Sequence, residues 1–69
     1  MNNKFCERFK QALEDNGISQ NAFAKKIGMS QGIINNYCTG KREPSLDALV
    51  LICKELGESA DFLLGVKDW

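Results

Sequence analysis

Serine and glycine punctuate this chain at short intervals. Ser19, Ser30, Ser45 and Ser59 each stand just before a stretch with helical spacing of apolar residues, and Gly17, Gly28, Gly40, Gly57 and Gly65 each stand just after one. A serine oxygen satisfies one of the free N–H groups at a helix start. Glycine takes the left-handed backbone that ends a helix without a Cβ penalty. This punctuation cuts the chain into short helices and leaves little room for strands. The spacing predicts helices over about 4–16, 20–27, 31 to 37 or 38, 46–56 and 60–64. With one proline and few β-branched runs, the fold class is all-α.

Apolar residues at three- and four-residue spacing mark the faces turned to the core. They are Phe5, Cys6, Phe9, Ala12 and Leu13 in the first helix, and Phe23, Ala24 and Ile27 in the second. In the fourth, Leu46, Leu49, Val50, Ile52, Cys53 and Leu56 are expected mostly inward. Phe62 and Leu63 serve the fifth. At 69 residues the chain is expected to be one domain, with its core at about 5–65 and a short tail over 66–69. A single core of this size rarely supplies more than roughly 3–5 kcal/mol of net stability.

Composition excludes several classes. The three cysteines are at least fifteen residues apart and histidine is absent, so no zinc-ligand spacing exists and no metal is expected. An odd number of free thiols suits a reducing cytoplasm rather than a secreted disulfide framework. The start, "MNNKFCERFK", has no apolar signal core, and the longest apolar run, "ALVLIC", is too short to span a bilayer. A cytoplasmic protein away from the membrane is expected. Net charge is zero, but residues 1–42 hold seven basic and three acidic residues, while 43–69 hold two basic and six acidic. A molecule polarised from +4 to −4 can present one positive face to phosphates.

"SQGIINNYCTG", residues 30–40, carries the functional signal. At helical spacing Ile33, Ile34 and Tyr37 share one face, and Gln31, Gly32, Asn35 and Asn36 the other. Amides add little solubility, but each carries a donor and an acceptor on one plane, which suits reading another molecule. The preceding helix has a small residue, Ala24, where two helices would cross steeply. Gly28 permits a sharp turn at positive φ, and Ile34 would pin the second helix on the first. Those are the requirements of a helix-turn-helix, whose second helix enters the DNA major groove.

The stretch from "ISQNAFAKKIG" through "GKREPS" to "LG" at 56–57 and "DFLLG" at 61–65 resembles the phage repressor and Cro-type helix-turn-helix family, which includes the xenobiotic-response-element regulators. The resemblance covers about residues 5–65. It implies a compact, lambda-repressor-like bundle of five helices with the helix-turn-helix at helices two and three. It also implies binding to double-stranded DNA, usually as a homodimer on a two-fold symmetric operator, with recognition helices about 34 Å apart.

The resemblance puts Gln31, Gly32, Asn35 and Asn36 on the groove side. An amide can pair bidentately with the N6 and N7 edge of adenine. Gln31 and Asn36 are the first candidates for reading bases, with Ser30 and Asn35 nearer the edges and Gly32 last. Gly32 departs from the family, which has a side chain there; it either lets the backbone approach the groove or is a tolerated loss. Gln20 suits a phosphate, with Ser19 as cap and Asn21 beside it. Lys41 and Arg42 match the family's basic loop along the DNA backbone, Lys41 the more so. Lys25 and Lys26 read first as a solvated face. Many members pair an Arg late in helix one with a Glu ending helix three. Leu13 and Cys38 stand there instead, which reads as a repacked core with Cys38 a small hydrophobe.

The expected function is sequence-specific transcriptional regulation by a small stand-alone Cro- or repressor-like protein of a bacterium, phage or mobile element, without room for a sensor domain. An antitoxin that represses its own operon is a close variant. A protein-interaction module that kept the fold without reading DNA is the alternative class. It draws on the zero net charge, the pI near 6.2 and the acidic C-terminal half with a terminal Trp69, while Phe62, Val66 and Trp69 could supply an apolar patch for dimerisation. With no histidine, no phosphate loop and no nucleophile–base motif, neither catalysis nor a cofactor is expected.

Overall fold

A computed structural model describes residues 4–68. It contains α1 (Phe5–Asp15), α2 (Gln20–Ile27), α3 (Gln31–Thr39), α4 (Leu46–Leu56) and α5 (Ala60–Leu64), with no strand among the described residues. Each serine signal acts locally as expected. The hydroxyl oxygens of Ser19, Ser30, Ser45 and Ser59 accept the backbone N–H of Ala22, Ile33, Ala48 and Phe62 at 3.1–3.2 Å. Helix bounds fall within about a residue of those predicted. α3 keeps Thr39, whose hydroxyl donates back to the Asn36 carbonyl at 3.4 Å.

α1 crosses both α3 and α5, and α2 packs against α3 and α4. The centre is aromatic. Phe9 is fully buried, with ring centroids 5.3 Å from Phe5, 5.6 Å from Phe23 and 6.4 Å from Tyr37. Ala12, Leu13, Ala24, Ile34, Cys38, Ile52, Leu56 and Leu63 complete the buried cluster around it. Leu13 and Cys38 are both buried, and among the described residues no charged or polar side chain is. Burial pushes the Cys38 thiol up, partly offset by the nearby Lys10 charge, so Cys38 packs as a neutral thiol.

The expected burial of α4 needs correction. Ile52 and Leu56 face the core together with Ala48, but Leu46 is 82% exposed and Val50 50%. The helix is apolar at eight of its eleven positions, so its apolar residues run past the buried arc onto the face that carries Asp47 and Lys54, and apolar spacing alone does not separate the inward ones. The three-dimensional arc of Ala48, Ile52 and Leu56 decides it. Cys6 and Ile27 are only half-buried, on the rim of the core.

α5 and the chain after it are tied back to α1 by Arg8. Its guanidinium lies 4.5 Å from the Phe62 ring centroid and donates to the carbonyls of Phe62 (3.1 Å) and Lys67 (3.0 Å) and to the Asp68 carboxylate (3.3 Å). Phe62 is thereby half-covered by Arg8, and Val66 stands exposed. Trp69, the third member of the expected patch, lies outside the described residues.

Candidate nucleic-acid interface

The α2–α3 corner is built by residues that leave it no other shape. Ala24 and Ile34 are both buried in the common core. Gly28 holds φ +72°. The N–H of Met29 reaches back to the Ala24 carbonyl at 2.9 Å, and that of Gly28 to the Lys25 carbonyl at 3.3 Å, which stops α2 within one residue. A Cβ at Gly28 would meet nothing within 4 Å, so the cost of a side chain there is in the backbone alone. Gly28→Ala is expected to lower the unfolding free energy by about 1–2 kcal/mol, read from a urea titration.

On the outer side of the corner, Gln31, Gly32 and Asn35 are exposed and Asn36 is half-exposed. The Asn36 carbonyl is occupied, accepting the N–H of Gly40, Lys41 and Arg42, so this residue anchors the end of α3 while its amide stays on the outer face. A Cβ at Gly32 would also meet nothing within 4 Å. Gly32→Ala is therefore expected to stabilise the fold by up to about 1 kcal/mol. If the bare backbone at Gly32 serves close approach to DNA, the same variant binds duplex more weakly despite being more stable; a thermal melt and a binding titration on one sample separate the two.

Asn35 is not an isolated member of this face. Its Nδ2 donates to Oε1 of Gln20 at 3.3 Å, linking α3 to the start of α2. The bond uses the acceptor of Gln20, for which a phosphate has no use, and leaves the Gln20 NH2 free to donate to one. Ser19 uses its oxygen to cap Ala22 and keeps its hydroxyl proton; Ser30 does the same for Ile33. The backbone N–H groups of Gln20 and Asn21, and of Gln31 and Gly32, have no partner among the described residues. Two helix starts thus present free donors beside the amide face.

The charges sort themselves around it. Lys41 and Arg42 are exposed directly after α3. Lys25 and Lys26 occupy the last turn of α2, where a cation complements the helix dipole. Lys26 also lies 3.4 Å from Glu55. One candidate escaped the sequence reading. Lys10 lines the same shallow depression as Ser19 and Gln20, as does the acidic Glu14. Only the packing of α1 beside the start of α2 brings it there; its position in the α1 sequence carries no such signal.

Among the described residues there is no group of three or more His, Cys, Asp or Glu that could hold a metal ion, and no helix is long and apolar enough to cross a membrane. No solved structure gives a significant match. Two proteins of Bacillus subtilis strain 168 are similar. The SPbeta prophage-derived uncharacterized HTH-type transcriptional regulator YonR is 38% identical over 60 residues, covering 87% of this chain. The uncharacterized HTH-type transcriptional regulator YobD is 28% identical over 64 residues, covering 93%. The chain spans 56% and 57% of the lengths of these relatives. The Helix-turn-helix family profile matches residues 9–63, from the middle of α1 into α5. With that match laid over the crossing of α2 and α3, the chain belongs to the helix-turn-helix family of phage repressor and Cro type.

Proposed function

We propose that this protein is a sequence-specific transcriptional regulator that binds double-stranded DNA. On this reading the whole chain acts as one cytoplasmic DNA-binding domain, as a homodimer on a two-fold operator, without cofactor or catalysis. The names of both relatives, each an HTH-type transcriptional regulator and one of them prophage-derived, support a transcriptional regulator of bacterial, phage or mobile-element origin. The observation that carries the reading is the exposed, uncharged face of α3, framed by two helix starts with free N–H groups and by Lys41 and Arg42.

Roles follow from chemistry. Gln31 and Asn36 read base edges, with Ser30, Asn35 and Gly32 beside them. Gln20, Asn21, Ser19, Lys41 and Arg42 hold phosphates. Phosphate contacts set register and supply affinity; base contacts supply sequence preference. Asn35, bonded to Gln20, couples the two sets.

The test is selection from a pool of random duplexes, with the bound fraction sequenced, at two salt concentrations. Enrichment of a two-fold symmetric site is expected, with affinity falling linearly on a log–log salt plot. Lys41→Ala is expected to weaken all sequences alike and reduce the salt slope by about one. Absence of binding even at low salt would overturn the proposal and leave a protein-interaction module, an alternative that the exposed apolar surface of α4 favours.

A further inference from the structure

The face of α4 turned directly away from the core is an unpartnered surface with an internal pattern. Taking one residue per 100° of helix, Leu46, Val50, Lys54, Asp47 and Leu51 fall within one exposed arc, opposite the buried arc of Ala48, Ile52 and Leu56. Leu46, Val50 and Leu51 are three of the four large hydrophobic side chains exposed among the described residues. Leu46 also borders an apolar groove with Phe5, Pro44, Leu49 and Leu64. Asp47 and Lys54 are exposed, and neither joins an ion pair among the described residues.

We propose that this face binds the same face of a second copy of the chain, with the two α4 helices antiparallel and the two-fold axis passing between Val50 and Leu51. The argument is the register. About that axis, Asp47 of each copy opposes Lys54 of the other on the same side of the interface, while Val50 meets Val50 and Leu51 flanks Leu51 across the axis. The acid and the base are equidistant from the axis, three residues outward on either side, so the face is complementary to its own antiparallel image. A parallel pairing would set Asp47 against Asp47 and Lys54 against Lys54. Such self-complementarity is what a two-fold interface requires. The apolar pair at the axis supplies burial, and the charges choose the direction. The same two charges also complement the dipole of their own helix, and the experiment must separate that role from pairing. One helix pair forms a small interface, so the association is expected to be weak and reversible. The proposal deepens the homodimer in the reading above, but its test uses no DNA. Failure here would leave DNA recognition to stand on the duplex selection.

The experiment is sedimentation equilibrium of the chain over a wide concentration range, with circular dichroism to confirm that each variant keeps its helices. The wild type is expected to populate a dimer. Asp47→Lys alone and Lys54→Asp alone each place like charges together twice per dimer, and each is expected to weaken dimerisation about ten-fold. An equimolar mixture of the two variants restores both opposite-charge pairs and is expected to recover wild-type association as a heterodimer. Val50→Glu, exposed in the monomer, is expected to leave the fold intact and abolish the dimer. A wild type that stays monomeric throughout would overturn the proposal. So would single reversals without effect, or a mixture no better than its components, because a dipole or folding role predicts no rescue by mixing.

Discussion

Phe9→Ala is expected to leave this chain without a stable fold. Phe9 is fully buried and touches the rings of Phe5, Phe23 and Tyr37, so it joins α1 to α2 and α3 at one point. Truncating a buried Phe to Ala costs ~3–5 kcal/mol through lost transfer energy and the cavity left behind. That is the whole of the roughly 3–5 kcal/mol such a core supplies. The circular dichroism of the variant should show little native helix in buffer and no cooperative melt. Val66→Ala is the control, because Val66 is exposed and surface truncations stay within about 0.5 kcal/mol. A Phe9→Ala variant that melts cooperatively near the wild type would mean the aromatic cluster is not what holds the three helices.

Asn36→Ala and Gln31→Ala are expected to relax sequence preference at separate base positions of each half-site. The expected loss is ~1–3 kcal/mol of discrimination per bidentate pair, or about ten- to a hundred-fold. Binding to unrelated duplex should fall much less, because phosphate contacts are kept. Gln20→Ala should show the opposite pattern, weakening all sequences. Because Gln20 and Asn35 are bonded to each other, the double variant Gln20→Ala/Asn35→Ala should lose less affinity than the two single losses added together. The measurement is competition binding against a panel of single-base operator variants. Uniform weakening by Asn36→Ala and Gln31→Ala would mean that these amides position the helix and do not read bases.

What the sequence displays is what is encoded within four residues. The four serine caps, the glycine stops and the helix bounds are of this kind, because cap and partner N–H are three residues apart. The outward set of Gln31, Gly32, Asn35 and Asn36 was readable too, since Ile34, Tyr37 and Cys38 fix the inner face of a short helix. What remained hidden depends on distant residues. The hydrogen bond from Asn35 to Gln20 joins an amide that reads as a base contact to one that reads as a phosphate contact. Lys10 gains its place near Gln20 from the packing of α1. Arg8 counted as one positive charge among seven, yet its guanidinium is committed to α5 and the chain after it. α4 misled for another reason: with eight apolar residues in eleven, its apolar set extends beyond the buried arc, so Leu46 and Val50 look inward although they face solvent.

The buried Leu13 and Cys38 have a practical consequence for this domain. A core that encloses an Arg–Glu pair holds a bond whose strength depends on its electrostatic surroundings. Among the described residues no charged side chain is buried in this interior; the Lys26–Glu55 and Lys67–Asp61 pairs lie at the surface, where they contribute little to folding, and Arg8 meets the exposed Asp68 at the rim of the core. Ionic strength therefore finds no buried ion pair to weaken in the core of this molecule. On the proposed function, raising electrolyte is expected to release a bound duplex while the helices stay folded, so that release from DNA and denaturation become two separately adjustable events.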